Sequence, residues 1–150
     1  EVTYNLHVML RYEIEKQLFN GDLKVDDLPS MWNSMFKSWF DVEVPEDRLG
    51  CLQDIHWSMG AFGYFPTYTL GNLDAAQLLE AMAADLGNID DMVASGDWEP
   101  MLEWLRPRIH QRGSQVSPAQ LIEDATGAPP SPEPFLRYVE RKYGALYQLG

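Results

Sequence analysis

Between Gly50 and Gly71 the chain reads GCLQDIHWSMGAFGYFPTYTLG, a stretch whose apolar residues follow neither the 3.6-residue period of a helix nor the alternation of a strand. Gly60, Gly63 and Pro66 commit its backbone to a particular path. Gln53, Asp54, His56, Trp57, Tyr64 and Tyr68 carry polar groups that need partners wherever they are buried. Such a segment must be held by regular elements on either side of it. A fold that accepts these constraints either fills core space with the aromatics or uses the segment to present side chains, and the density of hydrogen-bonding groups favours presentation.

The flanking sequence is helical in pattern. Leu6, Leu10, Ile14 and Leu18 recur every fourth residue with Met9 beside them, which predicts an amphipathic helix over 2–20 closed by Gly21, with Arg11 and Glu15 facing away from the apolar stripe. Asp26 or Asp27 caps a second helix whose apolar side is Met31, Trp32, Met35, Phe36, Trp39 and Phe40, ended by the acidic connector around Pro45. Beyond Pro66 follow an Ala-rich helix to Gly87, a short helical turn over 90–95, and a helix from about Trp98 to His110 that Pro107 should kink. Two more are marked by the Ser117-Pro118 start and Thr126-Gly127 stop, and by the Phe135 to Tyr147 pattern. No alternating run exceeds about four residues, so the fold class is all-α, about six helices around an irregular Gly- and aromatic-rich central segment.

At 150 residues the length is that of one domain with a real core, and the net charge of −12 repels phosphate backbones, which excludes nucleic acid as a partner. Cys51, the single cysteine, has no internal disulfide partner, nothing at the N-terminus has the basic, then apolar, then small-residue order of a signal peptide, and no window approaches a membrane span of about 18 apolar residues. These features predict a soluble, reduced, cytoplasmic chain with no membrane partner. Glu1 starts inside an amphipathic pattern with neither an initiator Met nor a cap, as expected of a cut chain whose parent continues upstream.

His7, His56 and His110 are too widely spaced for a local metal motif, and the sequence has no HExxH, no Cys pair and no Gly-rich phosphate loop, so no metal ligand is assigned here. Cys51 has no neighbouring base that the sequence specifies. The central segment does offer His56, Tyr64 and Tyr68, hydrogen-bond donors suited to a peptide carbonyl or an oxyanion.

The strings EVTYNLH (1–7), GCLQDIHW (50–57) and GAFGYFPTYTLGN (60–72) resemble the C-terminal part of the carboxypeptidase Taq family of thermostable zinc metallocarboxypeptidases. The resemblance runs on through AAQL (75–78), Trp98 to Leu105 and ATG (125–127). It implies a mostly helical, homodimeric parent that removes single C-terminal amino acids from peptides, with zinc held by an HExxH helix and a glutamate that both lie upstream. The segment alone would then hold no zinc and hydrolyse nothing, and its partners would be the peptide C-terminus and the absent N-terminal half. On this resemblance His56 contacts the scissile carbonyl, Tyr68 and Tyr64 stabilise the oxyanion, Gln53 and Asp54 fix the His56 tautomer, and Tyr4 and His7 line the cleft from the first helix. The competing expectation is a non-enzymatic interaction module docking through Trp32, Phe36 and Trp39 or through the 50–71 loop.

Overall fold

A computed structural model of the protein describes residues 1–149, and every regular element in them is helical. The α-helices are α1 (Tyr4–Asn20), α2 (Leu28–Phe40), α3 (Pro66–Leu86), α4 (Ile89–Ser95), α5 (Glu99–Leu105), α6 (Pro118–Thr126) and α7 (Glu133–Tyr147). The count exceeds the sequence expectation because α4, read there as a short turn, is a capped helix: the Asn88 side chain accepts from the Asp90 and Asp91 amides, and Gly96 closes it. The chain divides into two compact units, Glu1–Leu70 and Gly71–Gly150.

In the first unit α1 packs on α2, and Leu10, Ile14, Leu23, Trp32 and Cys51 form the buried cluster, with Phe36, Phe40, Val44 and Trp57 against it. The α1 stripe differs from its expectation. Leu6 and Met9 are exposed, whereas Arg11 and Glu15 are buried. Each charged residue follows a core residue, Leu10 or Ile14, and so lies about 100° around the helix. α1 therefore buries an apolar side against Trp32 and a polar side against the chain between Asp54 and Gly63. Periodicity assigns charged residues to solvent by default, and here specific partners override it.

In the second unit Met82, Ile89 and Trp104 form the buried cluster. The Trp104 indole donates to Asp85 at 2.7 Å while the Arg108 guanidinium lies 4.5 Å over its ring. Pro107 has no amide to donate, and the chain answers with a widened π-helical turn over Arg106–His110, in which the Gln111 amide reaches Arg106 O at 2.8 Å. Ser117 accepts from the Gln120 amide to start α6, as its Ser-Pro signature predicts. Asp27 stands at the start of α2 without a side-chain cap bond, so it is only a positional cap. Buried Gln77 donates to Thr126 Oγ1, Ala128 O and Pro129 O and accepts from the Ser131 amide, fastening the proline-rich turn before α7.

Candidate active site

The central segment is a chain of tight turns. Its entry is buried, with Gly50 and Cys51 in the core. His56 then opens a 3₁₀ turn over Trp57–Met59 and its carbonyl accepts from the Ala61 amide at 2.8 Å. Gly60 and Gly63 both take φ of 73°, the left-handed region that a side chain disfavours, and this folds the backbone back toward α1. Tyr64 and Phe65 lead into α3, where Pro66 occupies the first position without sacrificing an amide bond. The Thr67 hydroxyl ties to Tyr64 O at 2.7 Å. Tyr68 thus rides on the first turn of a helix, and His56 faces it from the loop.

The two are joined directly: His56 Nε2 lies 3.2 Å from Tyr68 Oη. Tyr64 completes the cluster, its ring centroid 5.7 Å from the imidazole and 5.4 Å from the Tyr68 ring in an edge arrangement. Phe65, buried, closes the imidazole's other side at 4.5 Å. His56 Nδ1 is buried and has no hydrogen-bond partner. With its proton on Nε2 the imidazole donates to Tyr68 Oη and leaves Nδ1 a bare lone pair, which is less costly to bury than an N–H without an acceptor. That tautomer leaves the Tyr68 hydroxyl proton to be donated, and in this chain the Tyr64 side chain is its hydrogen-bond partner. Desolvation first, then the neighbouring Tyr64 and Tyr4 phenols, pushes the Tyr68 hydroxyl above its usual pKa, so it stays a donor.

The other sequence candidates fall in several places. Tyr4 opens α1 and is exposed, close enough to Tyr68 to raise its pKa, and next to it the Thr69 hydroxyl contacts Asn5 at 3.1 Å. His7 is half-buried and stacks on Phe40 with centroids 4.3 Å apart, lowered in pKa by burial first and Arg11 second. Gln53 is exposed. Asp54 does not reach the imidazole, as the expected tautomer-fixing role requires. Its Oδ2 accepts from Arg11 at 2.7 Å (Nε) and 2.6 Å (the terminal nitrogen), a full ionic interaction stronger than any neutral contact His56 could offer. The sequence reading missed Arg11 and Glu15, whose partners lie 42 to 48 residues away in sequence. A charged pair spaced i,i+4 beside an apolar stripe was the available signal, and it looks the same on any solvated helix.

Cys51 is buried in the core and its thiol is pushed up, by burial first and then by Asp47, which makes it unreactive. Among the described residues no group of three His, Cys, Asp or Glu side chains is placed to hold a metal ion, so the donor cluster has no metal site of its own. Among the described residues no helix is long and apolar enough to cross a membrane. What the cluster can do is donate, from Tyr68 with His56 behind it, to a carbonyl oxygen.

Residues 1–143 match the family model described as carboxypeptidase Taq (M32) metallopeptidase. The chain is 48% identical over 147 residues to thermostable carboxypeptidase 1 of Thermus thermophilus, which covers 98% of this chain and 29% of that protein. It is 41% identical to carboxypeptidase 1 of Bacillus subtilis over 99% of this chain and 30% of that one. Among solved structures, the M32 carboxypeptidase of Deinococcus radiodurans superposes with a TM-score of 0.93 at 38% identity, covering 99% of this chain and 30% of its own. Metallocarboxypeptidase 1 of Trypanosoma cruzi superposes at 0.90 with 44% identity, over 95% and 30%. The chain therefore spans about three tenths of the length of the relatives it matches.

Proposed function

Because the chain belongs to the carboxypeptidase Taq (M32) family of metallopeptidases, we propose that it is the segment of a zinc carboxypeptidase that grips the scissile carbonyl and stabilises the transition state as single C-terminal residues are removed from peptides. The observation that carries this reading is the 3.2 Å contact between His56 Nε2 and Tyr68 Oη. Attack on an amide moves negative charge onto the former carbonyl oxygen, and a donor aimed there strengthens as the charge grows. Tyr68 is suited to be such a donor: with the imidazole proton on Nε2 its oxygen accepts from His56, which leaves its own proton to give. Tyr64 sets the plane of the Tyr68 ring by edge contact.

The metal of such an enzyme supplies an activated water and polarises the carbonyl. Its ligands are assigned to residues outside this chain. The same resemblance supports a homodimeric parent, and the lone buried thiol of Cys51 supports a cytoplasmic location. The test is to place His56→Ala and Tyr68→Phe separately in the whole enzyme that contains this segment and follow hydrolysis of an N-blocked dipeptide. Each is expected to lower kcat by about 10²–10³, the usual loss for one oxyanion donor. Wild-type kcat/KM in both variants would overturn the assignment.

A further inference from the structure

We propose that Glu15 is a positioning residue for the His56, Tyr64 and Tyr68 cluster, its buried carboxylate on α1 holding the two turns of chain that aim these side chains. The proposal rests on the functional reading of that cluster given above. Glu15 is 4% exposed. Its Oε1 accepts from the Trp57 indole at 2.8 Å and its Oε2 from the Gly63 amide at 3.0 Å. Trp57 follows His56 in the chain and Gly63 precedes Tyr64, so one carboxylate fastens both ends of the turn between the imidazole and the first phenol.

Both donors to Glu15 are neutral N–H groups. Burying a carboxylate against neutral donors is costly, and a glutamine of the same volume would fill the space without the charge. What glutamine lacks is a second acceptor: an amide accepts through one oxygen and would turn its NH₂ toward a donor. The carboxylate is thus the side chain of this size that satisfies an indole N–H and a backbone N–H together. A second tie strengthens the frame, because Arg11, also on α1, grips Asp54 two residues before His56. The imidazole is bracketed on both sides by polar bonds to one rigid helix.

Glu15→Gln in the whole enzyme, with and without Tyr68→Phe, tests this. Alone, Glu15→Gln is expected to lower kcat about tenfold or more while KM stays within about twofold, since a misplaced donor is felt in the transition state. On the Tyr68→Phe background the further loss is expected to be under about twofold, because the group being positioned is already gone. A kcat unchanged by Glu15→Gln, or an equal loss on both backgrounds, overturns the proposal. If Tyr68→Phe and His56→Ala prove silent, the functional reading fails separately, and positioning is then decided by the ring-nitrogen NMR signals of His56. Those signals shift in Glu15→Gln if the carboxylate sets the ring, and an unshifted pair overturns it. Should Glu15→Gln fail to fold, Trp57→Phe removes one of the two bonds while keeping an aromatic ring, and the same two-background comparison applies with the same outcomes.

Discussion

The Arg11 guanidinium closes on the Asp54 carboxylate through two nitrogens, at 2.6 and 2.7 Å, and so ties the middle of α1 to the start of the loop that carries His56. The arginine is the buried partner, its side chain 8% exposed against 28% for Asp54. It also donates to His7 O at 2.7 Å and lies 4.8 Å over the Trp32 ring and 5.3 Å over that of Phe65. Removing the acid strands a cation among aromatics. Asp54→Ala is therefore expected to cost about 3 kcal/mol, the lower end for breaking a buried pair. Urea unfolding followed by tryptophan fluorescence measures it. Arg11→Met with Asp54→Leu should recover most of that loss, because no uncompensated charge remains.

Tyr68 and Tyr64 are expected to differ as donors although they share the cluster. Of the two phenols only Tyr68 hydrogen-bonds the imidazole, and Tyr64 contributes the edge of its ring at 5.4 Å and a hydrogen bond to Tyr68. In the whole enzyme Tyr64→Phe keeps that edge and should cost less than about tenfold in kcat, well short of the loss expected for an oxyanion donor. The pH profile separates them further. On the proposed function Tyr68 works protonated, and with its pKa raised above the usual 10.0 its activity limb is expected to fall only as pH climbs past that value. That alkaline limb should vanish in Tyr68→Phe and persist in Tyr64→Phe.

His7 makes the first unit sensitive to acid. Burial, with Arg11 second, lowers its pKa below the ordinary 6.5, while the weaker pull of Asp54 acts the other way. Between the lowered value and 6.5 the unfolded chain binds the extra proton and the folded chain does not, so stability rises with pH through that window. Above 6.5 both states are neutral and the effect is complete. As pH falls from about 7 to 5, amide exchange in α1 should therefore accelerate more in the wild type than in His7→Phe, which keeps an aromatic stack on Phe40 and cannot titrate.

These residues also mark where the sequence could be read. Helix limits were legible wherever a local chemical device sets them: Gly21 and Gly127 end α1 and α6, and the Ser117 hydroxyl starts α6. His56, Tyr64 and Tyr68 were legible as a set of donors because polar groups crowd into one irregular stretch, but the direct contact of His56 with Tyr68, 12 residues on, was not. The ties from α1 were not legible. Asp54 read as a neighbour of His56 by proximity in the chain, yet a buried guanidinium 43 residues away outcompetes the imidazole for its carboxylate. Glu15 and Arg11 read as solvated for the same reason: the energy that buries them comes from partners that local periodicity does not encode.

Gly50 joins the core to the loop and leaves no room for a side chain. A Cβ there would stand 2.7 Å from Val44 Cγ1 and 3.2 Å from both Cδ1 and Nε1 of Trp32. The indole cannot yield, since Trp32 is fully buried and stacks on Phe36 while meeting Trp57 edge-on. Gly50→Ala must then displace Val44 or the loop itself, an overpacking expected to cost about 1–3 kcal/mol. Trimming the closer obstacle with Val44→Ala should return part of that loss and not all of it, because the indole contact remains. If the strain is instead relieved by moving the loop, Gly50→Ala will also lower kcat in the whole enzyme, and Val44→Ala will restore activity in step with stability. Calorimetry and steady-state kinetics on the single and double variants measure both.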